Sequence, residues 1–276
     1  MEKYRRRFGF AVEEMVKPFK LEASIKVEGM KEKISENLKR IQENIARACD
    51  KVRRDPQDVH LVAVTKMVDV NTIRSLLDMG QVDIAESRVQ ELVQRNAMIK
   101  ELISRHLELP GASSGQKQIL PRWHMVGHLQ RNKVKQLLPI VSYIHSVDSL
   151  RLAEEINTAS AKLGLNEKVN IFLQVNTSQE KQKHGLAVGA VTALAEQVQT
   201  LPNLQVVGLM TMAPLSDDME SCRFCFARLR EIFEEIRGEK ICGQEFRHLS
   251  MGMSQDYEVA VEEGATLLRI GSALFE

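Results

Sequence analysis

The sequence predicts an α/β fold, a single (β/α)8 barrel with an extra N-terminal helix, and three observations predict it. Short β-branched apolar runs alternate with amphipathic stretches as far as the C-terminus. Eight such runs can be placed, and strict strand–helix alternation means parallel strands with right-handed crossovers, which close into a barrel at eight units. No G-x-G-x-x-G follows the first run, so the usual signature of an open, doubly wound sheet is missing.

Residues 1–24 show little periodicity and read as an N-terminal extension, leaving 25–276 for the barrel. Ile34, Leu38, Ile41, Ile45, Ala48 and Val52 recur at steps of four and three, which puts them on one stripe of an amphipathic helix. Asp55-Pro56 stops it. The run 60–66 has the composition of a strand buried on both faces. A helix carrying Ile73, Leu76 and Leu77 follows and ends at Gly80. Further strands are expected at 82–86, 123–127, 143–147, 169–175, 204–212, 246–251 and 267–272. Helices are expected at 89–107, 133–138, 149–163, 188–200, 219–237 and 256–263. Asp217 and Glu220 form an approximate capping box, Gly264 closes the last helix, and 109–120 is a surface loop rich in Gly, Ser and Pro.

Across 276 residues, 43% are hydrophobic and 27% charged, with a net charge of +1. This excludes a disordered or collagen-like chain and provides no broad field for nucleic acid or a membrane surface. No run of 18 apolar residues is present to span a bilayer. Arg5-Arg6-Arg7 reads as a solvated tail, and Glu2, Glu13 and Glu14 argue against a transit peptide, so a cytoplasmic protein is expected. Four cysteines are too few for a disulfide framework in a chain of this length. Cys222 and Cys225 form a C-x-x-C, but inside a helix, away from the N-terminal position that makes a thiol acidic.

Barrels of this kind carry their chemistry at the C-terminal ends of the strands. The first strand ends in Lys66, where desolvation would favour a neutral, nucleophilic amine; a snorkelling or ion-paired lysine is the alternative. Ser250-Met-Gly-Met-Ser254 places two hydroxyls and a glycine before a helix, and Arg269-Ile-Gly-Ser272 ends the eighth strand. Loops after strands seven and eight often hold phosphate, although Ser254 could be only a helix cap and Gly271 only a turn. His124 and His128 straddle a strand end and do not aim at one ion, so no metal is expected; His184 sits in a polar loop. Met210, Met212, Met251 and Met253 read as barrel core or lining.

Several motifs occur in order over residues 30 to 275: Leu61-Val-Ala-Val-Thr-Lys66, Trp123-His-Met-Val-Gly-His-Leu-Gln130, Gln174-Val-Asn176, Lys183-His-Gly-Leu186, Gly208-Leu-Met-Thr211, Leu249-Ser-Met-Gly-Met-Ser254 and Arg269-Ile-Gly-Ser272. On these the chain resembles the pyridoxal phosphate homeostasis proteins, single-domain relatives of the alanine racemase barrel. The resemblance implies a fold-type III barrel with pyridoxal 5'-phosphate (PLP) as a Schiff base on Lys66. It places Ser250, Ser254, Gly271 and Ser272 around the phosphate, Arg269 at the pyridine nitrogen, and Met210 among the cofactor contacts. Where that family usually reads Gly-Glu-Asn-Tyr, this chain has Ala85-Glu-Ser-Arg88, so Ser87 stands in for the asparagine. The family usually continues past the phenylalanine that here is Phe275, and little helix is expected to support the phosphate from that side.

Racemisation needs a base on each face of the cofactor. In the alanine racemases the opposite base is a tyrosine from a second, β-rich domain, for which Tyr4, Tyr143 and Tyr257 provide no evident substitute. The resemblance therefore implies a monomeric carrier that keeps free PLP low and contacts PLP-dependent apo-enzymes transiently, with no catalytic residues. The alternatives are a slow single-domain racemase and a phosphate-binding barrel enzyme without the cofactor.

Overall fold

The computed structural model describes residues 9–107, 119–178, 180, 184–216 and 218–276, with side chains from residue 29 onward except at 106–107. Eight strands, β1 (His60–Val64), β2 (Asp83–Glu86), β3 (Arg122–Met125), β4 (Val141–Val147), β5 (Val169–Gln174), β6 (Leu204–Met210), β7 (His248–Ser250) and β8 (Leu267–Ile270), follow one another round a closed barrel. Every neighbouring pair is parallel, including β1 with β8. This is the barrel the alternation predicts.

The strands end earlier than expected at the C-terminal mouth. β1 stops at Val64 rather than Lys66, β6 at Met210 rather than Met212, and β8 at Ile270. The cause is local: each chain leaves the ladder to turn into a mouth loop, and apolar composition does not mark that exit. Gly252, with φ +92°, makes one such turn, and a side chain there would bring its Cβ 2.6 Å from the Cβ of Ala260.

Around the barrel lie α1 (Gly9–Lys51), α2 (Val70–Asp78), α3 (Val89–Leu107), α4 (Val134–Leu137), α5 (Leu150–Leu163), α6 (Val191–Gln199), α7 (Met219–Gly238), α8 (Tyr257–Glu262) and α9 (Ser272–Phe275). None of these helices is long and apolar enough to cross a membrane among the described residues. The helix foreseen at 133–138 is a 3-10 turn, Arg131–Lys133, followed by the short α4. α7 is capped by Asp218, whose carboxylate accepts the Glu220 N–H; Asp217, the cap foreseen, lies outside the described residues, as do Arg5–Arg7, Tyr4, Lys183 and most of the 109–120 loop.

α1 is one continuous helix from Gly9, where no periodicity pointed to one. Its stripe does what the spacing predicts: Ile34, Ile41, Ile45 and Ala48 are buried, whereas Val52 falls past the helix end and is exposed. Polar side chains tie α1 and the residues after it to the end of the chain. Asn37 Nδ2 donates to Leu274 O at 3.1 Å, Asn44 Nδ2 to the Tyr257 hydroxyl at 2.7 Å, and Arg54 to the carbonyls of Val261 and Ala265 at 2.6 and 2.9 Å. The first helix thus braces α8 and α9, and α9, with four residues, is the little helix that the sequence leads one to expect after β8.

Two cores result. One lies between strands and helices; the other fills the barrel with Val62, Ala85, Phe172, Val207, Met210 and Leu267.

Candidate functional site

The C-terminal mouth of the barrel opens into a cavity of about 640 Å³, within the range of small-molecule sites. Lys66, Ser87, Ser254, Arg269, Gly271 and Ser272 line it together, and Val64, Val126 and Met212 supply apolar wall. Six of the eight residues expected to contact a cofactor therefore meet in one place.

Lys66 follows β1 by two residues and is exposed, which corrects the expectation of a strand-end lysine at the edge of an apolar interior. What fixes it is the residue before it. Thr65 is fully buried: its N–H donates to Ala85 O at 3.0 Å, its hydroxyl to Glu86 Oε1 at 2.6 Å, and its carbonyl accepts from Arg95. Arg95 also holds Glu86 at 2.8 Å. Burial pushes the Glu86 carboxyl up, opposed by the Thr65 hydrogen bond and the Arg95 charge. The backbone entering Lys66 is thereby pinned from β2 and α3.

Ser87 and Gly127 face each other across the ends of β2 and β3. A Cβ on Gly127 would lie 2.1 Å from the Ser87 carbonyl oxygen, so the close approach requires glycine. Ser254 Oγ accepts from the N–H groups of Gly271 and Ala273, both at 3.2 Å, and so fastens the loop after β7 to the turn after β8. The helix foreseen from Asp256 starts at Tyr257, and the Asp256 carboxylate accepts the Met253 N–H at 2.6 Å. The start of this helix carries no side-chain cap, and the hydroxyls of Ser254 and Ser272 add further donors at the cavity.

Arg269 is buried beneath this loop pair. Its guanidinium donates to Ser250 Oγ at 2.7 Å and to Thr211 O at 2.8 Å. Burial pulls it down to about 10, with the charge of Asp256 acting the other way. Ser250 and Met210 do not line the cavity: both are fully buried, Met210 in the barrel core and Ser250 between Arg269 and His145. Met212, two residues on, takes the wall position expected of Met210. An inward-facing residue at the end of a strand is core if the strand continues and lining if it has ended, so composition alone could not separate the two.

Sequence reasoning missed a polar seam inside the barrel. Asp83 Oδ1 meets His124 Nε2 at 3.1 Å, His124 Nδ1 meets His145 Nε2 at 2.9 Å, and His145 Nδ1 meets Ser250 Oγ at 2.8 Å. His124 stacks on Tyr143 and His145 on Phe172, with ring centroids 4.8 and 4.3 Å apart. The signal was available: Asp83, His124 and His145 are polar residues within barrel strands, at positions that alternate with the outward-facing ones.

At the rim, His128 and His184 stack at 4.2 Å with 15° between their planes, and each has Nδ1 within 4.0 Å of Asp148 Oδ2. The three ligand-type atoms lie within 4.8 Å of one another. The two rings lie face to face beside the one carboxylate. Cys222 and Cys225 are buried on α7.

Fold and cavity define the class: a parallel (β/α)8 barrel whose mouth presents an amine, apolar walls, hydroxyls and one buried guanidinium. A family model described as "Alanine racemase, N-terminal domain" matches residues 37–276. A pyridoxal phosphate homeostasis protein of Aquifex aeolicus is 37% identical over 240 residues, covering 87% of this chain and 96% of the relative. Among solved structures, a protein from Bifidobacterium adolescentis superposes with a TM-score of 0.79 at 32% identity, over 90% of this chain and 96% of its own. PipY of Synechococcus elongatus with PLP bound gives 0.68 at 32% identity, over 84% of this chain and 100% of its own. The chain belongs to the pyridoxal phosphate homeostasis protein family, a branch of the alanine racemase N-terminal domain barrels.

Proposed function

We propose that the protein holds PLP as a Schiff base on Lys66 and serves intracellular PLP homeostasis as a carrier. One observation carries this: Lys66, Arg269, Ser254, Gly271 and Ser272 line a single cavity. The residues fit the group. An amine suits the aldehyde, Val64 and Met212 suit the ring faces, and the hydroxyls with the Gly271 turn suit the phosphate. The relative with PLP bound supports the same reading. When bound, PLP supplies an electron sink for chemistry at an amino-acid α-carbon.

The surroundings favour holding over turnover. Arg269, aimed at the ring nitrogen, keeps that nitrogen an acceptor and weakens the sink. Among the described residues no tyrosine lines the cavity: Tyr143 stacks inside the barrel and Tyr257 is bonded to Asn44 on the outside. The tyrosine that serves the second face in the alanine racemases therefore has no counterpart on that surface. Met67 and Leu215, both more than four-fifths exposed at the cavity, provide apolar surface for a recipient apo-enzyme.

The test is borohydride reduction of the PLP-loaded protein followed by peptide mapping. A phosphopyridoxyl adduct on Lys66, absent from Lys66→Ala, is expected. A label elsewhere, or rapid exchange of an amino acid's α-proton by the loaded protein, would overturn the reading.

A further inference from the structure

The seam inside the barrel has only one arrangement of protons that satisfies every member. The Asp83 carboxylate only accepts, so His124 carries its proton on Nε2. A neutral His124 then offers Nδ1 as an acceptor, and His145 must donate from Nε2. His145 Nδ1 in turn accepts, so the Ser250 hydroxyl donates to it, while Ser250 Oγ accepts from Arg269, which has donors only. Every donor points the same way, from Arg269 toward Asp83. The opposite tautomers would have His145 and Arg269 both donating to Ser250 Oγ and leave its own proton without a partner in the seam. Neutral rings agree with their surroundings: burial lowers both histidines, opposed at His124 by Asp83 and reinforced at His145 by the charge of Arg269. At the far end, burial raises the Asp83 carboxyl but the bonds from His124 and Arg122 outweigh it and hold it low.

We propose that Asp83, at the end of the barrel opposite the cavity, is a positioning residue for Arg269. Through His124, His145 and Ser250 its carboxylate fixes the orientation of the guanidinium and passes negative charge toward it. Stacking on Tyr143 and Phe172 holds both imidazole planes, so the chain cannot slacken by ring rotation. Among the described residues the direct hydrogen-bond acceptors of Arg269 are Ser250 Oγ and Thr211 O, neither of them a carboxylate; Asp256 acts on it by charge without a hydrogen bond, so these two bonds set the orientation of the guanidinium. The consequence for the cofactor rests on the reading that Arg269 meets the ring nitrogen; the proton arrangement does not.

Two experiments separate these. In the full chain labelled with 15N-histidine and free of PLP, two-bond 15N–1H correlation at neutral pH should show His124 and His145 both neutral with the proton on Nε2. An Nδ1–H tautomer or an imidazolium at either ring overturns the chain. In PLP-loaded protein, Asp83→Asn removes the charge while keeping the shape, and its amide oxygen can serve only one of His124 and Arg122. PLP affinity should fall about fivefold or more, with a shifted cofactor absorption band, while borohydride still labels Lys66. His145→Phe should give the same band shift, and the double variant no more than either alone. Additive effects, or an unmoved band in Asp83→Asn, overturn the proposal. Wild-type protein that takes no label on Lys66 would instead sink the cofactor reading and leave the NMR result to judge the seam.

Discussion

Single residues at the mouth act mostly by holding backbone. Thr65 does not face the cavity, yet its hydrogen bonds determine where Lys66 begins. Gly127 has no function except its size: the Ser87 carbonyl occupies the space a Cβ would need. Replacing Gly127 with Ala must push β2 and β3 apart at their cavity ends, an overpacking cost of about 1–3 kcal/mol. Urea denaturation of Gly127→Ala should show a lower midpoint with an unchanged slope, and PLP affinity should drop with it because Ser87 moves. A wild-type midpoint would mean that the strands part freely there. The identity of Lys66, Ser254, Gly271 and Ser272 as neighbours was legible because each sits just after a strand in an ordered series. The burial of Ser250 was not, since whether a hydroxyl faces a cavity or a histidine depends on a residue, His145, that lies 105 positions away.

At the scale of elements, the sequence announced strands better than their ends. Apolar, β-branched runs mark which residues are buried, and all eight strands lie where those runs are. A strand's last residue depends on where the neighbouring ladder stops, and β1, β6 and β8 each stop two residues short of the expected end. The strands also carry an acid sensitivity that their apolar reading concealed. His124, His145 and His248 are all held below the ordinary histidine range, His248 at about 4, chiefly through burial. An unfolded histidine titrates near 6.5, so as pH falls below that value the unfolded chain takes up protons that the folded barrel refuses. Stability is therefore complete above about pH 6.5 and lost as pH drops, at up to about 1.4 kcal/mol per ring per pH unit. Urea midpoints measured at pH 7, 6 and 5 should fall progressively, and less steeply in His248→Gln. A level profile would show that these rings gain charge without opposing the fold.

For the whole molecule, the first helix and the last are one structural unit. α1 was legible from its stripe between Ile34 and Ala48, but its task was not, because Asn37, Asn44 and Arg54 look like ordinary surface polar residues until their partners beyond residue 256 are known. Asn37 reaches Leu274 O across 237 positions, and α9, which contains Leu274, begins with the cavity residue Ser272. Removing that donor leaves a buried carbonyl unsatisfied at a cost of about 1–3 kcal/mol, and it frees the turn against which the phosphate is proposed to rest. A matched control exists on the far side of the barrel, where Asn157 Oδ1 accepts from the Asn203 N–H at 3.0 Å, away from the mouth. Asn37→Ala and Asn157→Ala should both lower the urea midpoint, but only Asn37→Ala should weaken PLP binding, read as the loss of the bound cofactor's visible absorbance on dilution. Equal loss in both variants would mean that affinity follows global stability alone. Loss in neither would mean that α9 keeps its place without α1, and that the brace serves the fold and not the site.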